Sequence, residues 1–196
     1  MTNLESLKTF VKSNFPAAAK HLEKTHLPHD RYILEKKIFP YFVAQQEFHK
    51  ILFVGCESYT QHYDQFFTNK EYWTLEIDPT KRHYGAEKHI ISPLRSVDQH
   101  FSENSLDLIL CNGVFLVGAM DERSESEESF TRCFQCLRSG GILMVGWNDT
   151  PEFRPYPIAE SQALKLFTPY LFPPLSTAQY LSRTTHKHTF NFYIKP

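Results

Sequence analysis

Ile51-Leu52-Phe53-Val54-Gly55 is the stretch that decides the fold, because it is an apolar run of strand length that stops at a glycine. Leu75-Glu76-Ile77-Asp78-Pro79 follows about 20 residues later and places two carboxylates at the end of a second apolar run. A strand that ends in glycine lets the backbone approach a ligand closely, and an acid at this spacing can accept hydrogen bonds from ribose hydroxyls. Together the two stretches predict a nucleotide-type pocket.

Short apolar runs continue along the chain and alternate with helical patterns, which is typical of a parallel sheet with crossover helices. The predicted strands cover residues 50–55, 72–77, 89–91, 106–111 and 141–147, with a last strand at 189–194. Connections between parallel strands are expected to be right-handed. The pattern therefore predicts an α/β fold.

The helix before the fifth predicted strand has the clearest pattern. Glu127 and Glu128 lie in its first turn, where the helix dipole stabilises carboxylates, and Gly140 follows its end. Cys133 and Cys136 fall on one face of this helix, so we interpret them as small core residues. No second CxxC completes a zinc site, and we predict no metal.

Composition limits the classes of function. The chain has 196 residues, 41% hydrophobic and 22% charged, which suits one globular domain. Its 21 basic and 22 acidic residues give a net charge of −1, so nucleic acid is an unfavourable partner and a small molecule a better one. Apolar runs are too short for a bilayer and the N-terminus has no signal-peptide pattern, so we expect no membrane association and a cytoplasmic location.

Four stretches occur in the order and spacing of the class I S-adenosylmethionine-dependent methyltransferases. They are Phe53-Val54-Gly55-Cys56, Leu75-Glu76-Ile77-Asp78-Pro79, Leu106-Asp107-Leu108-Ile109-Leu110 and Leu137-Arg138-Ser139-Gly140-Gly141-Ile142-Leu143. The chain resembles that family over about residues 48–148, and His188-Thr189-Phe190-Asn191-Phe192-Tyr193 resembles the closing strand of bacterial members described only as probable methyltransferases. The resemblance implies a Rossmann-like, seven-stranded, mostly parallel sheet with a reversed last strand, flanking helices and a helical N-terminal extension.

On this basis we predict a single methyltransferase-like domain over residues 1–196. Residues 1–49 are expected to form the helical extension, which acts as a lid, residues 50–148 the cofactor-binding core, and residues 149–196 a proline-rich tail with the last strands. Helices are predicted to begin at Thr2, at Pro16 and near Asp30, with Pro40 interrupting the third. The part of the lid at 28–43 should cover the carboxyl edge of the sheet.

The resemblance also implies a cofactor, S-adenosylmethionine, and assigns its site across the carboxyl ends of the strands. Glu76 would bind the ribose hydroxyls, with Ile77 beside it and Asp78 as the second choice. The other expected cofactor contacts are Gly55, Cys56, Glu57, Ser58 and Tyr59 around the methionine part, Ser92 and Leu94 near the adenine ring, and Asn112 and Gly113 after the fourth strand.

The loop after the first strand departs from the family pattern, since the usual GxGxG is reduced to Gly55. Side chains stand where backbone would normally touch the ligand, so Glu57 or Tyr59 is expected to supply contacts that glycine amides otherwise give. The same departure argues against NAD, because a pyrophosphate needs close backbone amides at a helix N-terminus.

Asn112 and Phe115 stand where amino-group methyltransferases carry Asn-Pro-Pro-Tyr or a relative, but both prolines are absent here. The alternative is that Asn112 is a turn residue and Phe115 belongs to the core. Methyl transfer asks mainly for in-line placement of the nucleophile. If a base exists, Asp149 after the fifth strand is the first choice, with Asp121-Glu122 as the other candidate.

The sequence thus predicts an S-adenosylmethionine-dependent methyltransferase that acts on a small or unidentified acceptor. Two alternatives remain: a degenerate member that binds the cofactor or its product without catalysis, and a nucleotide-binding α/β module of another family. Two further expectations concern single residues. Cys56 and Cys111 should be near neighbours, since both end adjacent strands in the family's order, and His186 and His188 should flank the last strand in solvent.

Overall fold

The computed structural model describes residues 27–114, 120, 122–153 and 156–196. The helices predicted from Thr2 and Pro16, and the candidates Phe115 and Asp121, lie outside the described residues. None of the helices in the described part of the chain has the length and hydrophobicity required to cross a membrane.

The described residues form one eight-stranded sheet with the order β3-β2-β1-β4-β5-β8-β6, and β7 also pairs with β8. The strands are β1 (Lys50–Val54), β2 (Glu71–Glu76), β3 (Lys88–Ile91), β4 (Leu106–Asn112), β5 (Leu137–Asn148), β6 (Thr168–Pro169), β7 (Gln179–Leu181) and β8 (His188–Ile194). The first five strands are parallel to one another, and β8 runs antiparallel to β5. The predicted α/β, mostly parallel sheet with a reversed last strand is confirmed.

The eighth strand arises at one edge of the sheet, where two short strands replace one long one. β6 pairs with the C-terminal end of β8, at Tyr193 and Ile194, and β7 pairs with the segment 189–191. Proline has no backbone N–H to donate, so the proline-rich segment between β6 and β7 cannot continue the ladder. The two pieces therefore lie end to end along β8.

A continuous helix over residues 29–44, α1, packs on one face of the sheet. It consists of an α-helical turn (His29–Ile33), a π-helical turn (Leu34–Ile38) and a second α-helical segment (Phe39–Ala44). The expected break at Pro40 is wrong. Pro40 lies in the first turn of the second segment, where a missing N–H costs least, and the π-turn before it absorbs the change in hydrogen bonding.

Aromatic side chains make α1 an integral layer of the core rather than an appendage. Phe39 and Phe42 are fully buried, and the Phe39 ring lies edge-on to Tyr63 with 4.9 Å between ring centroids. Phe42 stacks on Phe172, which comes from the proline-rich tail. α1 and this part of the tail are thus packed against the same face of the sheet.

The other face is covered by α2 (Arg123–Cys136), the one long crossover helix in the described residues. Cys133 and Cys136 are fully buried on it, as predicted. The remaining crossovers were expected to be helices, but they are 3₁₀ turns at Tyr63–Phe67, Pro79–Tyr84 and Leu94–Gln99. The helix expected within 158–167 is likewise a pair of single turns, Ile158–Glu160 and Leu164–Leu166. These links are short, so the apolar residues are buried by compact turns instead of full helices.

Lys195 closes the C-terminal end of α2. Its Nζ atom donates to the carbonyl oxygens of Phe134 and Leu137, both at 2.7 Å, and to Asn104 Oδ1 at 2.8 Å. These carbonyls lie at the negative end of the helix dipole, where a cation is favourable.

We expect Lys195→Met to lower the free energy of unfolding by about 1–3 kcal/mol, measured by urea denaturation. Lys165→Met, at an exposed lysine, is the control and should change it little; an equal loss in both variants would contradict the capping role.

Candidate functional site

A cavity of about 590 Å³ lies at the carboxyl edge of the parallel strands. Its wall is built from segments far apart in the chain: the first turn of α1, the loop after β1, the ends of β4 and β5, and the turn that leads into β8. The lining residues used below are Asp30, Arg31, Glu57, Tyr59, Tyr63, Asn112, Gly113, Asn148, Arg183, His186 and His188. No cluster of three or more His, Cys, Asp or Glu side chains suited to a metal occurs among the described residues.

Glu76 ends β2, is only 6% exposed and lines a second, smaller cavity at the same edge of the sheet. Its Oε2 atom accepts a hydrogen bond from the backbone N–H of Cys56 at 2.7 Å, and its Oε1 atom accepts one from the N–H of Asp78 at 2.9 Å. Each carboxylate oxygen can accept a second hydrogen bond, so capacity for a ligand remains. Glu76 therefore ties together the loops that follow β1 and β2.

Asp78 has a different role from Glu76. Its carboxylate caps the 3₁₀ turn Pro79–Tyr84 by accepting from the N–H and the hydroxyl of Thr80, at 2.9 and 2.7 Å. These hydrogen bonds from Thr80 hold the pKa of Asp78 below its ordinary value. Asp78 lines neither the large cavity nor the smaller one, whereas Glu76 lines the smaller one.

Gly55 has a backbone φ of +94°, and a Cβ atom placed there would lie 2.6 Å from Val114 Cγ1 and 2.9 Å from the carbonyl oxygen of Asn112. The position therefore requires glycine. The close approach is made to the end of β4, so the glycine brings the β1 and β4 ends together at the site.

The rest of the loop after β1 divides between core and cavity. Cys56 is 1% exposed, and its burial raises the pKa of the thiol to about 12. Glu57 lines the cavity and pairs with Lys81, while Tyr59 lines it with the Arg31 guanidinium 3.6 Å above its ring. Ser58 is exposed and does not line the cavity.

β1 and β4 are adjacent, as predicted, with Val54 opposite Cys111, and Cys56 lies just after the end of β1. The two thiols nevertheless face different partners. Cys111 lies in the core under α2 with Cys133, whereas Cys56 interacts with Thr74 of β2. The closeness of the two sulfur atoms stays a prediction.

A second, much smaller cavity lies where the adenine ring was expected. Glu76, Ile77, Ser92 and Leu94 all line it, so the structure brings these predicted residues together. Its volume is about 20 Å³, however, which corresponds to roughly one water molecule. Val114 and Met120 complete its wall.

Asn112, His188 and Asn148 form a continuous polar chain along the floor of the large cavity. His188 Nε2 lies 3.1 Å from Asn112 Oδ1, and His188 Nδ1 lies 2.8 Å from Asn148 Oδ1. A Cβ atom on Gly146 would overlap Asn112 Oδ1, so this chain fits only because position 146 is glycine. Gly113 also lines the cavity, and its N–H donates to the Gly146 carbonyl at 2.8 Å.

The expected solvent position of His188 is wrong, since its side chain is only 6% exposed, whereas His186 is exposed as predicted. Burial lowers the pKa of His188 to about 4, so the ring is neutral near pH 7. A neutral imidazole has one N–H, and one of the two asparagines must therefore turn its NH₂ group toward the ring. The sequence held a signal for this residue: His188 has the same strand parity as the buried Phe190 and Phe192.

Asp149, the first-choice base, does not line the cavity. Its backbone N–H donates to the carbonyl of Lys187, and its neighbour Asn148 takes the place at the cavity wall. Glu122, the other described candidate, immediately precedes α2 and does not line the cavity either. A catalytic role of Asp149 stays a prediction.

Comparison with known proteins identifies the fold. No protein-family model matches the chain, and no curated protein matches it in sequence. Among solved structures, the N-methyltransferase NodS from Bradyrhizobium japonicum WM9 is similar with a TM-score of 0.61 and 10% identity, over 83% of this chain and 97% of that one. The 1,6-didemethyltoxoflavin-N1-methyltransferase from Burkholderia thailandensis, solved with S-adenosylhomocysteine, has a TM-score of 0.53 and 12% identity, over 100% and 91%. The chain therefore has the class I S-adenosylmethionine-dependent methyltransferase fold.

The same fold also occurs in an enzyme of another name. Spermidine synthase, solved with the transition-state analogue AdoDATO, has a TM-score of 0.57 and 17% identity, over 84% of this chain and 60% of that one. Likeness at these identities describes architecture, and function must be argued from the site.

The two hydrogen bonds of Glu76 lead to a prediction about stability. Glu76→Ala leaves the buried N–H of Cys56 and the part-buried N–H of Asp78 without their acceptor, so we expect the free energy of unfolding to fall by about 2–4 kcal/mol. Asp78→Ala removes only a cap and should cost less. Urea denaturation of both variants measures the difference, and a smaller loss for Glu76→Ala than for Asp78→Ala would show that Glu76 does not hold the loops.

His188 leads to a prediction about pH. Its pKa is lowered from 6.5 to about 4 in the folded protein, so only the unfolded chain takes up the proton as the pH falls through this window. Stability is therefore complete above about pH 6.5 and is lost toward about pH 4, by up to roughly 3 kcal/mol. His188→Gln should remove this component of the pH dependence in urea denaturation series, whereas His186→Gln should keep it. A parental dependence in His188→Gln would contradict the assignment.

Proposed function

We propose that the protein transfers the methyl group of S-adenosylmethionine to a small-molecule acceptor bound in the 590 Å³ cavity. The observation that carries this proposal is the position of Glu76: a buried carboxylate at the end of β2, next to Gly55, at the carboxyl edge where ligands of open α/β sheets bind. The fold supports it, because NodS and the toxoflavin methyltransferase were both solved with S-adenosylhomocysteine. The net charge of −1 favours a small acceptor over nucleic acid.

The residues fit the cofactor in chemistry at two of its three parts. Glu76 retains acceptor capacity for the ribose hydroxyls, and Glu57, Tyr59 and Gly113 stand in the large cavity where the methionine part would lie. The adenine side fits in position but not in size, since about 20 Å³ is far too small for the ring. Binding therefore requires the side chains of Leu94, Val114 and Met120 to move apart.

The residues of this chain would act by positioning the acceptor for the reaction. A sulfonium methyl donor is already activated, so the protein has mainly to align the acceptor with the methyl group. Asn112, fixed by His188 and by the space above Gly146, presents a rigid polar group at the cavity floor. We give Asn112 a role in binding the acceptor, with His188 and Asn148 as positioning residues, and assign no step to Asp149.

The second candidate is a protein that binds the cofactor or its product without catalysis. The closed adenine pocket favours it, together with the use of both Glu76 oxygens by backbone amides. A pocket that must open before binding weakens the apparent affinity by the fraction of open molecules. Turnover of an acceptor distinguishes the two candidates.

Calorimetric titration with S-adenosylmethionine, S-adenosylhomocysteine and NADH tests the proposal. We expect the first two to bind, and Glu76→Gln to weaken both by about 10- to 100-fold, because a hydrogen bond to a charged group is worth about 1.5–3 kcal/mol. Asp78→Asn is the matched control and should change affinity little, since Asp78 lines neither cavity. Binding of NADH alone would overturn the proposal, and unchanged binding in Glu76→Gln would place the pocket elsewhere.

A further inference from the structure

α1 carries two acidic side chains, Asp30 and Glu35, that each have a buried oxygen atom without a hydrogen-bond partner. The π-turn Leu34–Ile38 places Glu35 inside the protein at 4% exposure, between the buried Leu34 and Ile38. Asp30, in the preceding turn of the helix, lines the large cavity. Single π-turns within helices occur frequently at functional sites.

Three buried oxygen atoms in this region have no hydrogen-bond partner: Asp30 Oδ1, Glu35 Oε1 and the Tyr63 hydroxyl. Tyr63 is only 1% exposed and lines the cavity together with Asp30. Nearly all buried polar atoms in folded proteins are hydrogen-bonded, because an unpaired one has lost its water without compensation. A group of such atoms beside a cavity indicates a ligand that completes them.

The missing group must be a hydrogen-bond donor. Carboxylates only accept, and a hydroxyl can accept as well as donate. Glu35 has a partial solution, since His62 Nε2 lies 3.5 Å from its Oε1, and Glu35 does not line the cavity. Asp30 and Tyr63 are therefore the pair that meets a bound molecule.

Other charges of the cavity wall do not satisfy this pair. Arg31 stacks on Tyr59, and Glu57 is paired with Lys81. Arg183 is exposed at the cavity mouth. A carboxylate ligand would be repelled by the unpaired Asp30. A hydroxyl ligand could donate to Asp30 and accept from Tyr63, but it brings no charge to balance the carboxylate. An amino group brings two or three N–H donors and, when protonated, a positive charge.

We propose that Asp30 and Tyr63 form an amino-group subsite that selects amines as acceptors. This inference rests on the proposed function, because an acceptor amine requires methyl transfer at this site. The bound ammonium first releases one proton to water. Its nitrogen lone pair then forms the bond to the methyl carbon, while the electron pair of the broken carbon–sulfur bond stays on sulfur. The positive charge that leaves sulfur appears on the nitrogen next to Asp30, where a carboxylate stabilises it.

A matched pair of probes tests the subsite. Benzylamine and benzyl alcohol have nearly the same shape and differ in the donor group, and their binding to the full chain with S-adenosylhomocysteine present can be followed by NMR titration. We expect the amine to bind about 10- to 100-fold more tightly than the alcohol. Asp30→Asn should remove this preference, and the control Asp64→Asn, at an exposed acid that does not line the cavity, should retain it. Equal binding of the two probes, including no binding of either at millimolar concentration, would overturn the proposal.

Stability separates a ligand-binding role from a structural one. The Tyr63 hydroxyl has no hydrogen-bond partner within the protein. Tyr63→Phe should therefore leave the unfolding midpoint unchanged or raise it, while it weakens the binding of benzylamine. Tyr41→Phe is the control, because the Tyr41 hydroxyl is hydrogen-bonded to that of Tyr170 at 2.9 Å and its removal should lower the midpoint. A fall in the midpoint for Tyr63→Phe with unchanged probe binding would make Tyr63 structural.

Two further titrations distinguish an acceptor subsite from a subsite for the amino group of the cofactor. The cofactor carries an amino group of its own, so Asp30→Asn is titrated with S-adenosylhomocysteine and with 5′-methylthioadenosine, which lacks the amino acid. A loss confined to S-adenosylhomocysteine would assign the subsite to the cofactor and overturn the acceptor assignment. If the parent protein binds neither nucleoside, the proposed function fails, and the amine preference is then measured on the protein alone.

Discussion

The site depends on the buried carboxylate of Glu76. A charge at this depth is tolerated only when donors surround it, and here the donors are backbone N–H groups of Cys56 and Asp78. The first belongs to the loop after β1 and the second to the loop after β2, so one side chain sets the spacing of two loops at the carboxyl edge. Gly55 brings the end of β4 to the same edge, because without a Cβ atom it leaves room for Asn112 and Val114 to approach closely. The result is a pocket that is shaped by the chain's own hydrogen bonds before any ligand enters.

The site is enclosed by segments other than the crossovers between the parallel strands. Most crossovers between parallel strands are single 3₁₀ turns, which cannot cover a sheet face by themselves. Aromatic residues from α1 and from the proline-rich tail cover it instead, with Phe39, Phe42 and Phe172 fully buried. Since α1 is held by this aromatic layer, the residues at its start are fixed above the strand ends. The cavity is therefore lined by the unpaired Asp30 of α1 and by His188 of β8, which lie far apart in the sequence.

The chain Asn112–His188–Asn148 illustrates how a polar group acquires a function by being buried. Asn112 alone is a residue that often closes a strand, as the sequence suggested. Buried His188, neutral and bridging two amides from β4 and β5, fixes the side-chain orientation of both. Gly146 supplies the space and is therefore as much a part of the arrangement as the groups that form the hydrogen bonds.

By itself, the sequence determined the sheet. Apolar runs with strand spacing predicted five strands of a parallel sheet and the buried face of α2, because hydrophobic periodicity is a local property. The resemblance to the methyltransferase family implied the reversed last strand. The resemblance also implied that Glu76, Ser92 and Leu94 share one pocket, and all three line the smaller cavity. The partners of Glu76, the burial of His188, the unbroken passage of α1 through Pro40 and the separate surroundings of Cys56 and Cys111 were decided only by the tertiary structure. Each of these depends on contacts between segments far apart in the chain, and burial and hydrogen bonding across such distances leave no periodic trace in the sequence.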